Sequence, residues 1–346
     1  MRAVLLTGNG GFDRLAYRDD VPVPRPGPGE VLIRVGAAGV NNTDINTRIG
    51  WYDKSVTAGT TTRGAAAGWT GGGQVFPRIQ GADACGCVVA VGAGVDPARI
   101  GERVLVEPVF RAPLGWAPFR AIYFGSECDG AFADYAVAPA AHAHRIDSPL
   151  SDAELASFPC SYAAAENMLT QAALAAGETV LVTGASGGVG SAAVQLARRR
   201  GASVIAVAAA AKAPEMLSLG ASRVIARDAD LLDALGRETV DVVVDVVGGA
   251  SFPALLEVLR RGGRYAAAGA IAGPVVALDL RTLYLKDLRL LGCTILERAV
   301  FANLIGYIER GEIRPLVAAS FLLRDIVAAQ QTFLSKRHTG KIVLRP

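Results

Sequence analysis

The chain has 346 residues, enough for two domains that each bury a core, and its 51% hydrophobic and 19% charged residues are an ordinary globular balance. A net charge of +3 with no Lys/Arg run argues against nucleic acid or an anionic membrane as partner. Five scattered cysteines (Cys85, Cys87, Cys128, Cys160, Cys293) form no CxxC pair, which fits a reducing, cytoplasmic setting rather than a disulfide framework.

The opening MRAVLLTGNGGFD has too short an apolar piece for a signal peptide. The longest uncharged stretch, 179–197, is interrupted by four glycines and is not expected to span a membrane.

Up to about residue 150 the pattern predicts short strands between Gly/Pro turns and no helix of useful length. VLIRVGAAGV (31–40), CGCVVAVGAGV (85–95) and DYAVAPA (134–140) are the clearest runs. Between Trp51 and Gln80 lies a Gly/Thr-rich segment that reads either as a surface loop or as a lid over a site. From about residue 178 strands and helices alternate. TVLVTG is a strand, 189–200 a helix, SVIAV a strand, PEMLSLG a helix and RVIA a strand. DALGRET and FPALLEVLRRGG read as helices on either side of the strand VDVVVDVV, and RYAAAG as the strand that follows. Val/Ile/Ala-rich strands between helices predict a doubly wound parallel sheet. One more amphipathic helix is expected at 300–310, with a final strand in GKIVLRP returning to the first domain.

GASGGVG follows the first of these strands and opens the first helix, the context that gives a glycine pattern its meaning. Gly184, Ser186, Gly187, Gly188, Val189 and Gly190 would let the backbone approach a pyrophosphate and offer it N–H donors. NAD-binding folds usually end the second strand with Asp or Glu, which bonds the ribose hydroxyls. Here the strand runs into Ala208–Ala211 and then Lys212, with Arg227 after the third strand. The expected cofactor is therefore NADP(H).

Over almost its full length the chain resembles the medium-chain dehydrogenase/reductase superfamily. The resemblance is carried by PVPRPGPGEVLIRVGAAGVNNTD, FPRIQGADACGCVVAVGAGV, IGERV, DGAFADYAV, ASGGVGSAAVQLAR, GRYAAAGA and TGKIVL, in that order. GVNNTD and the SGGVG form of the loop look like the quinone oxidoreductase and zeta-crystallin branch. The resemblance implies an α/β chain: a GroES-like β-rich catalytic domain at 1–160, completed by 296–346, and a Rossmann domain at 161–295. Within the matching motifs and the preceding LRLLGCT, Gly269, Thr294 and Lys341 are further expected cofactor contacts.

Zinc alcohol dehydrogenases of this superfamily place a cysteine where this chain has Asn41, and a Gly-His-Glu where it has Gly81-Ala82-Asp83. Cys160 falls near the third ligand position, but one thiolate cannot hold a zinc that needs three protein ligands. The region 106–132 has only Cys128 for a structural zinc. No metal is expected, and the pair His142 and His144 reads as structural or surface.

Without a Lewis acid an unactivated alcohol is hard to oxidise, whereas hydride transfer from NADPH to a quinone or to an α,β-unsaturated carbonyl is easier. The resemblance makes Asn41, Asn42 and Thr43 candidate hydrogen-bond donors, with Tyr52 a candidate proton donor. Trp51, Tyr52, Trp69 and Phe76 read either as the lining for an apolar, planar ligand or as loop aromatics that pack among themselves. Two other readings stay open: an alcohol or aldehyde dehydrogenase, and a non-enzymatic NADPH- or RNA-binding crystallin-like protein. The resemblance also implies a homodimer paired along the final strand of the coenzyme domain, here 288–294, an apolar run that would be an aggregation hazard as an open edge; a monomer with that edge covered by a loop is the alternative.

Overall fold

A computed structural model describes residues 1–60, 62–64, 69, 73–111 and 121–346. The chain divides into two compact units. One comprises Met1–Val56, Thr62–Cys160 and Phe301–Pro346, and the other Thr57–Thr61 and Ser161–Val300. Parts of the Trp51–Gln80 segment and of the 106–132 region lie outside the described residues, so the lid expectation falls partly there.

The first unit is β-rich. Among the described residues its main sheet has seven strands around Glu30–Val40, which pairs antiparallel with Cys85–Val91, Tyr135–Pro139 and Lys341–Arg345. The last pairing sets Ile342 opposite Val40, so Lys341 begins its strand where Asn41 leaves the other. Alternating Val31, Ile33 and Val35 reach a core that also holds Ile45, Val104, Phe124, Phe132, Ile342 and Leu344. The strand beginning at Cys85 ends at Val91 rather than Val95, because Gly92 accepts the Val95 N–H and turns the chain.

A helix at Asn42–Ile49 corrects the expectation of no helix in this region. Its sequence hides it: Ile45 and Ile49 are the only apolar residues, and polar Asn46, Thr47 and Arg48 are buried as well. Asp44 caps its start by accepting the Asn41 N–H at 2.7 Å, and Gly50 ends it in the left-handed region at φ 71°. Tertiary partners replace the missing amphipathic pattern; Arg48, for instance, donates to the Gln330 side chain at 3.0 Å.

The second unit is a six-stranded, all-parallel sheet. In space the strands run Arg223–Ala226, Ser203–Ala208, Thr179–Val182, Val240–Asp245, Leu259–Ala267, Arg289–Gly292, which is order 3-2-1-4-5-6 in sequence. This is the dinucleotide-binding order, with its crevice at the carboxyl ends of the strands where the order reverses. Two helices are shorter than the sequence suggested. Gly236 at φ 77° stops the first after Leu231–Leu235. The second spans Phe252–Val258 and passes straight into strand Leu259–Ala267, where Gly262 takes φ 72°. Among the described residues no helix is long and apolar enough to cross a membrane.

Candidate active site

In the second unit the strand Thr179–Val182 runs through Thr183 into Gly184, at φ 57°, and helix Gly188–Arg199 opens four residues later. A Cβ on Gly190 would lie 2.2 Å from the Gly184 carbonyl oxygen, so glycine is obligatory for this tight packing. Gly187 donates to that same oxygen at 2.9 Å, and the first helical bond runs from Ser191 N–H to Gly187. The N–H groups of Gly188, Val189 and Gly190 precede it and have no acceptor within the helix, which makes the loop an anion cradle.

Lys212 lies at the end of the neighbouring strand, its ammonium 3.4 Å from the Ser186 hydroxyl. Burial lowers its pKa, Glu215 raises it, and the nearby positive charge of Arg227 lowers it further. Lys212 thus meets Ser186, and the charges of Glu215 and Arg227 both act on it. Because all six strands are parallel, Gly269 and Thr294, which follow strands Leu259–Ala267 and Arg289–Gly292, sit on the same carboxyl edge.

Asp245 went unnoticed in the sequence. Fully buried, it accepts hydrogen bonds from the Thr183 hydroxyl at 2.5 Å, Val247 N–H at 2.8 Å, Gly248 N–H at 3.1 Å and the Tyr265 phenol. It fixes the loop whose Val246 and Val247 side chains pack beside Gly184. Its signal is a carboxylate directly after three valines at the end of its strand.

Lys341 is the remaining residue expected to contact the cofactor. It belongs to the first unit, only 2% exposed, and its ammonium donates to Asp83 Oδ2 at 2.7 Å and to Asn41 Oδ1. Asn41 Nδ2 donates to the same Asp83 oxygen at 2.8 Å and, more weakly, to the Gly39 carbonyl at 3.4 Å. The amide of Asn41 is therefore bonded through both its oxygen and its nitrogen within the unit. Asn42 turns to Lys336, whose ammonium reaches its Oδ1 at 3.1 Å. Gly39 must lack a side chain, since a Cβ there would fall 2.3 Å from the Asp83 carboxylate.

The remaining expected residues meet others that sequence reasoning missed. Tyr52 donates to the Thr43 hydroxyl at 3.2 Å and packs edge-on against Trp51. Tyr123 stacks on Trp69 with ring centroids 4.7 Å apart, and its phenol lies 3.0 Å from Cys160 Sγ. Asp83 Oδ1 accepts the Cys160 N–H at 2.5 Å, which connects this pair to the Lys341 cluster. Burial pushes the Tyr52 phenol and the Cys160 thiol up to about 12 each and raises Tyr123 as well. At neutral pH all three are proton-bearing donors, and Cys160 is not a thiolate nucleophile.

His142 and His144 both bond Glu107, at 2.9 and 3.3 Å. Burial alone would raise the Glu107 pKa, but these two bonds prevail and bring it to about 2. The Arg111 N–H donates to His142 Nε2 at 3.3 Å, so that nitrogen's lone pair is already used. Among the described residues no three His, Cys, Asp or Glu side chains are grouped to hold a metal.

A β-rich unit with proton-bearing donors and a Rossmann unit with a glycine cradle together define a nucleotide-dependent oxidoreductase. The alcohol dehydrogenase GroES-like domain pattern matches residues 27–148, and the zinc-binding dehydrogenase pattern matches 188–310. An acryloyl-coenzyme A reductase from Metallosphaera sedula is 28% identical, over 99% of both chains. The human quinone oxidoreductase is 26% identical, over 99% of this chain and 97% of its own. A crystal structure of a candidate alcohol dehydrogenase from Sinorhizobium meliloti 1021 superposes with a TM-score of 0.93 at 50% identity, over 100% of this chain and 96% of that one. The chain belongs to the medium-chain dehydrogenase/reductase superfamily, and it is an oxidoreductase acting on small molecules.

Proposed function

We propose that this enzyme is a zinc-independent reductase that uses NADPH to reduce a polarised alkene, as in an enoyl thioester or enone, or a quinone. The observation that carries the reading is the content of the zinc-ligand positions. They hold an engaged amide (Asn41), a methyl group (Ala82) and a single thiol (Cys160), with the ammonium of Lys341 bonded to Asn41 and Asp83. That donor set does not fit a zinc needing three protein ligands. Reduction of a conjugated acceptor asks instead for neutral O–H donors that steady a developing oxyanion and return a proton.

Thr43, Tyr52 and Tyr123 supply such donors. The Tyr52–Thr43 bond leaves the Thr43 hydroxyl hydrogen to reach a carbonyl oxygen, with the Tyr52 phenol as the proton behind it. Bound NADPH would contribute a hydride to the electron-poor carbon. Gly184–Gly190 would hold its pyrophosphate, and Ser186, Lys212 and Arg227 its 2′-phosphate. The similarity to acryloyl-coenzyme A reductase and quinone oxidoreductase supports the acceptor class.

A panel of quinones, enones and 2-enoyl thioesters, followed by loss of NADPH absorbance, tests the reading. Turnover of at least one class by protein stripped with a chelator is expected. Chelator-sensitive oxidation of simple alcohols, with one zinc held per chain, would instead establish the alcohol dehydrogenase reading. The same proposal includes a homodimer, because among the described residues strand Arg289–Gly292 has a paired neighbour on one side only and lies in a segment of exposed Val275, Leu280, Tyr284, Leu285 and Leu290.

A further inference from the structure

The sequence pairs His142 with His144, and the donor site uses neither. Both bond one oxygen of buried Glu107, whose N–H in turn donates to the His142 carbonyl at 2.8 Å. Glu107 follows strand Arg103–Val106, and His142 precedes strand Ala143–Arg145, its antiparallel partner in the main sheet. The imidazole of His142 reaches away from this pairing. Its Nε2 accepts the Arg111 N–H at 3.3 Å, and its ring centroid lies 5.3 Å from that of Phe110. Because Nε2 accepts, the ring's one N–H is at Nδ1 and donates to Glu107 at 2.9 Å.

Phe110 and Arg111 belong to strand Val109–Arg111, which among the described residues pairs with Ala121–Tyr123 and not with the main sheet. A two-stranded ribbon is marginal by itself. This one carries Tyr123, which stands opposite Val109 and whose phenol lies 3.0 Å from Cys160 Sγ. Phe110 packs into the core, but apolar packing is non-directional and does not fix the strand along its own axis. A hydrogen bond does, because it holds a distance and an angle. We propose that His142 is a positioning residue for Tyr123: backed by Glu107, its imidazole ties the ribbon to the main sheet and so sets the phenol at the donor site. The link runs from the Glu107 carboxylate through the ring to the Arg111 N–H, and across the ribbon from Val109 to Tyr123.

The inference rests on the reductase reading for the use of Tyr123 as a donor, whereas the tether itself is tested without cofactor or acceptor. The full-length parent, His142→Gln and His142→Phe are compared, with circular dichroism as the check on folding. Glutamine offers an amide N–H to Glu107 and an oxygen to the Arg111 N–H, so it replaces both bonds, while phenylalanine keeps only the ring packing. Hydrogen exchange is followed in residues 109–111 and 121–124, with residues 31–35 of the main sheet as the control. The ribbon should exchange about tenfold faster in His142→Phe, as for one lost buried hydrogen bond, and at the parental rate in His142→Gln.

Turnover with NADPH and the fastest acceptor of the panel then tests the positioning. His142→Phe should lower kcat about tenfold and change KM by less than about twofold, with His142→Gln near the parent. In a Tyr123→Phe background the His142→Phe change should cost nothing further, since the phenol it positions is gone. Losses that add in full overturn the positioning role, and unchanged exchange in a folded His142→Phe overturns the tether. A Tyr123→Phe variant with parental kcat takes Tyr123 out of the reductase reading and overturns the positioning role with it; faster exchange in His142→Phe would then establish the tether alone. If His142→Phe does not fold, His142→Phe/Glu107→Gln, which also neutralises the buried carboxylate, takes its place in both measurements.

Discussion

The two units manage buried charge by opposite means. In the unit built on Ser161–Val300 the capacity to bind an anion comes from backbone: a left-handed Gly184, a glycine forced at 190 by a neighbouring carbonyl, and three helix N–H groups without acceptors. In the other unit the charge is internal and is settled by side chains from four distant places, Asn41, Asp83, Cys160 and Lys341. A backbone device needs consecutive residues, so it can be read along the chain. A side-chain cluster needs only proximity in space, so its members leave no pattern of spacing. The consequence reaches function: the cofactor cradle tolerates little change in backbone, whereas the donor site depends on which partners each polar atom finds.

The sharpest way to break this comparison is at the glycines. Gly190→Ala should push its new methyl into the Gly184 carbonyl and raise the NADPH dissociation constant about 100-fold, on the order of 2.7 kcal/mol. Gly187→Ala meets that oxygen only at 3.4 Å, with an ordinary φ of −78°, and should change binding by less than about threefold. Fluorescence titration measures both. Equal losses would mean that the cradle works by general flexibility and not by close packing.

The same contrast explains what was legible. GASGGVG after a strand, and Lys212 where a carboxylate usually stands, are local signals, and the structure sets the Lys212 ammonium 3.4 Å from the Ser186 hydroxyl. Asn41 shows the limit. Its position was readable, yet its amide is spent on Asp83 and Lys341, and nothing near it in sequence announces them. Lys341 read as a cofactor contact because its motif matched, while its environment is set by strand register. Tyr123, 37 positions from Cys160, and Asp245, a carboxylate in an apolar run, needed tertiary contacts to acquire meaning. The Asn42–Ile49 helix escaped because the unit buries its polar residues, which defeats a reading based on apolar period.

The surfaces of the units differ too. Exposed large apolar side chains in the β-rich unit are scattered (Tyr17, Val23, Val75, Ile100, Ile122, Leu322), whereas in the Rossmann unit six of the described ones fall from Val275 to Leu290. Leu280 and Leu285, 63% and 58% exposed, should become buried in the proposed dimer. Each buried leucine is worth roughly 1.5–3 kcal/mol, so Leu285→Glu should raise the dimer dissociation constant at least about tenfold. Sedimentation velocity on parent and variant reports this, and a parent already monomeric at micromolar concentration rejects the dimer.

A gentler test concerns the cofactor phosphate. Lys212→Ala should weaken NADPH about tenfold, roughly 1–2 kcal/mol for a lost phosphate contact at a partly exposed site, and should leave NADH nearly unaffected. An equal loss for both nucleotides would assign Lys212 to the fold of its loop instead.

A slope of stability with pH separates two carboxylates of the β-rich unit. Burial raises Asp44 to about 7, against the bonds it receives from Asn41 and Gly81 N–H and the charge of Lys341. The folded protein therefore binds a proton that the unfolded chain, with an ordinary aspartate near 3.8, gives up. The stability this contributes is complete below about pH 4 and is lost as pH rises through about 7, with a slope of at most about 1.4 kcal/mol per pH unit. Glu107, held near 2 by its two histidines, has the opposite sign: its contribution is present above its ordinary 4.5 and lost as pH falls toward 2. Asp44→Asn keeps an acceptor for the helix cap but removes the titration. The stability of the parent minus that of Asp44→Asn, from urea midpoints, should fall between pH 4 and 7 and then level off. The same difference taken with Glu107→Gln should be flat over that window above about pH 5 and fall only on acidification. A flat Asp44 difference curve would show that its carboxylate stays ionised in the fold, with the Lys341 charge outweighing burial.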